Sequence, residues 1–263
     1  MLSYSMNDNR MTLELFFRQL HTEMTERPFL KQNPVFVRFK EGTLTPQMLA
    51  ESIRQYVCFT EEIVKMLKGA AQHLPKTNPI HQELERNWEQ ESGSATGGIP
   101  HVDLLKHGLK RDLSIDADHV HASRATKRFL STVHEGMKEN TWFALGQAYA
   151  LEASAVPELA ILVGPALNAY ASLIQKSPLI HKIALTEKGT HVLPKIATSE
   201  QAFAMSMSDW FALHIADFEV SHRDYLRERV QAYLQTDDEQ DEFAKGFRHV
   251  LNAMDDWWEG LSL

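Results

Sequence analysis

Nowhere in the 263 residues does a run of β-branched side chains alternate with polar ones. Apolar residues recur instead every three or four positions, the period of a helix with one buried face. Segments of that period cannot pair as strands, so they bury their apolar faces against one another, and the chain reads as all-α. Punctuation agrees. Thr45-Pro46 and Asn78-Pro79 each put a capping side chain before a proline in a first helical turn. Helices are predicted over about 12–24, 46–73 and 79–91, with a short turn over 35–39. A short helix should open at Ile99-Pro100, and another, capped by Asp116 or Asp118, should run to about Met137. Asn140-Thr141 opens the most apolar helix, from Trp142 to about Ala153; Pro157 should interrupt it before it resumes through Leu159 to about Ile174. Ser199 should cap a long helix to about Leu234, and a last amphipathic helix passes Phe243 and reaches Trp257-Trp258. Residues 1–10 are polar and expected to be disordered. Residues 177–198, with Ser177-Pro178, Gly189 and Pro194, should form an irregular insert. The expected architecture is a single all-α domain, 1–263, a bundle of about eight helices.

Composition narrows the function classes. A net charge of −8 and a pI near 5.9 argue against general nucleic-acid binding. No apolar run approaches a membrane span, and MLSYSMNDNRM lacks a charged-then-apolar leader pattern. Cys58 is the single cysteine, so no intrachain disulfide forms and a reducing cytoplasm is the expected compartment. Thirteen histidines keep metal binding in view.

The stretch WFALHIADFEVSHRDYL, residues 210–226, carries His214, Asp217, Glu219 and His222 on one predicted helix. Imidazole with carboxylate is a typical donor set for non-haem iron, manganese or zinc. Glu219 and His222 have the Glu-x-x-His spacing that shares a helical face in di-iron bundles. At about 100° per residue, His222 lies roughly 80° round from His214, but Glu219 lies roughly 140° away. A one-residue π-bulge would bring all three into line. Asp217, about 60° from His214 on the other side, is the rival carboxylate. Three further residues join them. Glu152 sits on the most apolar helix, where a carboxylate is costly unless paired or metal-bound, although a helix-end residue facing solvent would read the same way. Glu91 closes a helix just before glycines. His101 lies in the first turn of a helix, where the dipole disfavours a charged imidazole and suits a neutral, ligating one.

In that order these segments resemble the haem-oxygenase-like di-iron oxidases and oxygenases, relatives of the chlamydial death-domain-associating protein on the fold of thiaminase-II-like and pyrroloquinoline-quinone-synthesis proteins. NPVFVRFKEGTLTPQML resembles the N-terminal loop and helix start. NWEQESG…IPHVDLL resembles the segment giving the first glutamate and histidine, WFALGQAYALEASAVPEL the helix giving the second glutamate, and HIADFEVSH the last ligand helix. That last motif is one residue longer than the family's His-x3-Asp/Glu-x2-His, and the stretch between Glu152 and His214 is also longer. The resemblance implies that Glu91, His101, Glu152, His214, Glu219 and His222 hold two irons, or manganese, and activate O2 on a small amino-acid-derived, fatty-acid or aromatic substrate. It implies further that family members are often dimers.

Other readings stand beside this one. A thiaminase-II-like hydrolase would use a cysteine, for which only Cys58 is available, though a small core residue is its simpler role. A haem oxygenase would need His21. A non-catalytic interaction protein would present Trp257-Trp258, a pair expected to lie one in the core and one at the rim. Tyr56, Tyr149 and Trp142 are candidates to line a cavity.

Overall fold

One helix, Thr141–Ala169, is apolar on every side and therefore sits at the centre of the structure. The computed structural model describes residues 5–169 and 198–261. In chain order its helices are α1 (Ser5–Thr25), α2 (Pro28–Lys31), α3 (Pro34–Lys40), α4 (Pro46–Ala71), α5 (Pro79–Glu91), α6 (His101–Leu113), α7 (Arg124–Gly136) and α8 (Thr141–Ala169). There follow α9 (Ser199–Ala204), α10 (Met207–Leu213), a π-helical segment (His214–Phe218), α11 (Glu219–Gln231) and α12 (Asp237–Gly260). The described residues contain no strand. Helix α8 packs against α12, α4 and α11, and α12 also covers α7.

Most predicted boundaries are where the capping chemistry puts them. Thr45 Oγ1 accepts from Met48 N at 3.2 Å, and Asn78 Oδ1 from Ile80 N at 2.8 Å. Four expectations are corrected. The chain is helical from Ser5, and only residues 1–4 of the expected disordered tail lie outside the described residues. Pro157 does not interrupt α8. An interior proline costs about 3 kcal/mol, but burying Leu151, Leu159 and Leu162 to either side is worth about 1.5–3 kcal/mol each. Asp116 opens no helix: its carboxylate accepts from Asp118 N at 2.9 Å in a local turn, and Ser123 caps α7 instead. The long helix expected from Ser199 is broken. Thr198 caps the short α9, and Ser206 restarts the chain with a capping box to Asp209. The insert expected over 177–198 lies, up to residue 197, outside the described residues.

Helix α12 crosses α8 at two glycines. The position a Cβ would take on Gly246 runs into the carbonyl oxygen of Phe143, and that on Gly146 into the carbonyl of Phe243. Both tryptophans of α12 are buried, so neither is a rim residue. Trp257 stacks on Phe129 with centroids 4.8 Å apart and donates to Thr126 Oγ1 at 3.0 Å. Trp258 donates to Glu158 Oε1 at 2.8 Å. Gly246→Ala should therefore overpack this crossing and destabilise the protein by about 1–3 kcal/mol. Calorimetry should show a lowered thermal midpoint with unchanged helix content; an unchanged midpoint would mean that the two backbones do not meet so closely.

Candidate metal centre

Four helical regions each bring part of one polar cluster into the core. Helix α5 ends with Glu91, and α6 begins with His101. The turn between them is fixed by Gly93, whose φ of +106° and approach to Ile99 leave no room for a Cβ. Thr96 Oγ1 closes the turn on Ile99 O at 2.6 Å. Helix α8 contributes Glu152. The last region is α10, the π segment and α11, which carry His214, Glu219 and His222. Its approach is tied to α6: Arg111 donates to the carbonyls of Phe203 (3.0 Å) and Met205 (2.8 Å), and Asp112 accepts from Met207 N at 2.7 Å.

The π segment is where the sequence required it. Glu219 N bonds back to His214 O, five residues earlier, and this adds the one residue that the helical angles called for. With it in place the side chains meet. Glu152, Glu219 and His222 each offer an atom within 4.8 Å of the others. His222 Nδ1 lies 3.4 Å from Glu152 Oε2, 4.0 Å from Glu219 Oε2 and 3.9 Å from Glu91 Oε1. On the far side of Glu91, the same Oε1 lies 3.2 Å from His101 Nδ1, which lies 3.1 Å from His214 Nε2. Two groups of N and O donors thus adjoin through Glu91.

Hydrogen bonds outside the cluster fix which histidine nitrogens face it. His214 Nδ1 is 2.7 Å from Trp210 O, so it carries the proton and Nε2 turns a lone pair inward. His222 Nε2 is 2.7 Å from Gln90 Oε1, so its Nδ1 is the nitrogen turned toward the carboxylates. Asn87 Nδ2 donates to Glu152 Oε1 at 3.0 Å, leaving Oε2 for the cluster. His101 Nε2 is buried without a hydrogen-bond partner. Trp210 stacks on the His214 ring at 3.8 Å and donates to His101 O at 3.3 Å.

The charges are mutually frustrated. Burial raises the Glu91 carboxyl, but His101, His222 and His214 together bring it down to about 2. Glu219 is pushed well above the carboxylate range by burial, then by Glu91 and Glu152. Burial lowers His222, yet Glu152, Glu219 and Glu91 override it and raise it to about 9. His214 falls to about 3 through burial and the neighbouring His101. Bare nitrogens and carboxylate oxygens facing one another in a dry core need either shared protons or a cation. A divalent metal satisfies the donor set.

All six side chains named from the sequence therefore lie in one contiguous cluster. Of the alternatives, Glu219 is brought in; the side chain of Asp217 lies outside the described residues. The sequence did not single out Asn87 or Gln90, because on a polar helix face they look like surface residues. Burial, then the charges of Glu158, Glu219 and Glu91, raise the Tyr56 phenol well above its ordinary value and keep it neutral. Tyr149 belongs elsewhere, to an aromatic group with Phe17, Phe243 and Phe247. Cys58 is a buried core residue, and burial raises its thiol pKa, which works against a nucleophilic thiolate. His21 is exposed on α1.

Glu158, also unforeseen, lies one and a half turns beyond Glu152 on α8, fully buried. Burial pushes it up to about 7, against the bonds from Trp258 and Ser154. The folded chain thus keeps a proton that the unfolded chain, near 4.5, has already released. The stability this gives is whole below pH 4.5 and is lost as pH rises through 7. It is on the order of 3 kcal/mol. Glu158→Gln should flatten the fall in denaturation midpoint between about pH 5 and 8; parallel wild-type and variant curves would rule out this ionisation.

A CADD-like protein of unknown function from Nostoc punctiforme has a similar crystal structure, at 27% identity and a TM-score of 0.75, covering 95% of this chain and 97% of that one. A second crystal structure of that protein gives a TM-score of 0.72. A TenA homolog from Pseudomonas syringae pv. tomato shares the fold at 12% identity and a TM-score of 0.60, over 94% and 92% of the two chains. Among curated proteins none matches. The fold is the TenA or haem-oxygenase-like helical fold, and no described helix is long and apolar enough to cross a membrane. The chain belongs to the family described as Domain of Unknown Function with solved-structure structure (DUF3865), whose pattern matches residues 17–175 and 192–263 and so spans all six clustered side chains.

Proposed function

We propose that this protein is a non-haem di-iron oxidase or oxygenase that activates O2 on a small organic substrate. One observation supports it above the rest. Three carboxylates and three imidazoles converge in the core, and two of the imidazoles are anchored by outer hydrogen bonds that turn their other nitrogens inward, His222 Nδ1 toward Glu152 and His214 Nε2 toward His101. That outer support is the usual companion of a metal-ligating histidine.

In this reading His101, His214 and Glu91 hold one iron, and Glu152, Glu219 and His222 hold the other, with Glu91 adjoining both. Manganese fits the same donors. The metal pair supplies the electrons and the open positions at which O2 is reduced. The chain's own residues do the rest. Gln90 keeps the His222 proton on Nε2, and the Trp210 carbonyl keeps the His214 proton on Nδ1. Asn87 occupies one oxygen of Glu152, so that carboxylate presents a single oxygen inward. The buried walls exclude water from the reacting atoms. Amino-acid-derived, fatty-acid and aromatic precursors are the substrate classes, and a homodimer is the assembly that goes with this reading. A reducing cytoplasm suits both a ferrous site and the lone thiol of Cys58.

Anaerobic loading with Fe(II) should give about two irons per chain, and exposure to O2 should give a transient visible band. Glu152→Ala should lose the band and at least one iron. Iron uptake indifferent to Glu152, or no uptake by the wild type, would refute the six-residue site.

A further inference from the structure

The π segment places Phe218 as well as Glu219. Phe218 stands four residues after His214 and four before His222, and its ring lies among all three imidazoles of the cluster. Ring centroids are 4.9 Å apart for His101, 5.5 Å for His214 and 6.4 Å for His222. The ring lies nearly flat to His222 (24°) and inclined to His101 (31°), and it meets His214 edge-on (71°). No other side chain among the described residues makes ring contacts with all three.

Exposure shows where the cluster opens. His101, His214, His222 and Glu152 are buried. What accessibility remains is on Glu91 (14%), Glu219 (12%) and Phe218, which is partly exposed. These three form the partly accessible edge of the cluster among the described residues. Two of them are carboxylates turned to the histidines, and among the described residues Phe218 is the apolar member of that edge. A benzene ring neither ligates nor hydrogen-bonds. Set against three ligand rings, it denies water the space beside them and offers an arriving molecule a surface matched to hydrocarbon.

We propose that Phe218 is the specificity-determining wall of the dimetal site: it keeps water away from the histidine rings it packs against and favours substrates that present an apolar or aromatic group there. This inference rests on the dimetal reading above. It is tested on the full chain with Co(II) as the probe metal and azide as a small exogenous ligand, under argon. Phe218→Ala should bind as much Co(II) as wild type. Its visible bands should weaken severalfold as water completes the coordination, and azide should bind about tenfold more tightly. Phe218→Trp, which narrows the approach, should keep the wild-type bands and bind azide about tenfold more weakly. Thermal melts of both variants report folding, and the Trp variant decides the matter if the Ala variant does not fold. Wild-type spectra and azide affinity in the folded variants would overturn the role of Phe218. Failure of the wild type to take up Co(II) would instead overturn the dimetal reading itself.

Discussion

Three carboxylates within a few ångströms of one another in a helical core repel, and burial makes the repulsion stronger because water no longer screens it. The local structure around the cluster answers that repulsion. Glu91 and Glu219 are driven to opposite ends of their titration range, and His222 is drawn up until it holds a proton between carboxylates. Such a group disfavours the fold unless something positive sits in it. Among the described residues no Arg or Lys pairs with these carboxylates, and a carboxylate–imidazole set of that kind is one that a metal, rather than a salt bridge, can satisfy.

Helix α5 is the hub of this arrangement. Asn87, Gln90 and Glu91 share one face at i, i+3 and i+4. From that face Asn87 reaches Glu152 on α8, Gln90 reaches His222 on α11, and Glu91 reaches His101 on α6. One turn of helix thus touches a cluster residue on each of three others. A shift of α5 by a fraction of an ångström would alter both halves of the cluster together. The glycine-rich turn after α5 is correspondingly tight. At Gly97 a Cβ would lie 2.5 Å from the backbone of Thr198, so this turn also braces the start of α9. Arg111 and Asp112 continue the brace along α6 to the chain that enters the last ligand helix.

Much of this was legible in the chain, because the signals are local. Thr45-Pro46 and Asn78-Pro79 fix helix starts by the chemistry of one turn. The mismatch of about 140° between His214 and Glu219 called for one extra residue per turn at that place, and the π segment supplies it. What stayed hidden depends on partners distant in sequence. Pro157 looks like a break until the burial on both sides of it is counted. Asp116 looks like a cap until its carboxylate turns back to Asp118. Glu158, Asn87 and Gln90 look solvated, because nothing within four residues reveals Trp258, Glu152 or His222. Two adjacent helix residues such as Trp257 and Trp258 ordinarily divide between core and rim. Both are buried because α12 is enclosed by α7 on one side and α8 on the other.

The π segment does more than correct an angle. Its wider turn adds a residue between His214 and His222, and that residue has to go somewhere. In the shorter motif of the di-iron oxidases that this segment resembles, the position four after the first histidine is the carboxylate. Here Phe218 occupies it, and the carboxylate moves on to Glu219. The insertion thus adds an apolar ring without removing a ligand. An ordinary substitution at this position could not do that, since it would exchange the carboxylate for the ring. A bulge is therefore a route by which a fixed ligand set acquires a new wall. The cost of the irregular backbone is offset by the packing of that ring against three imidazoles.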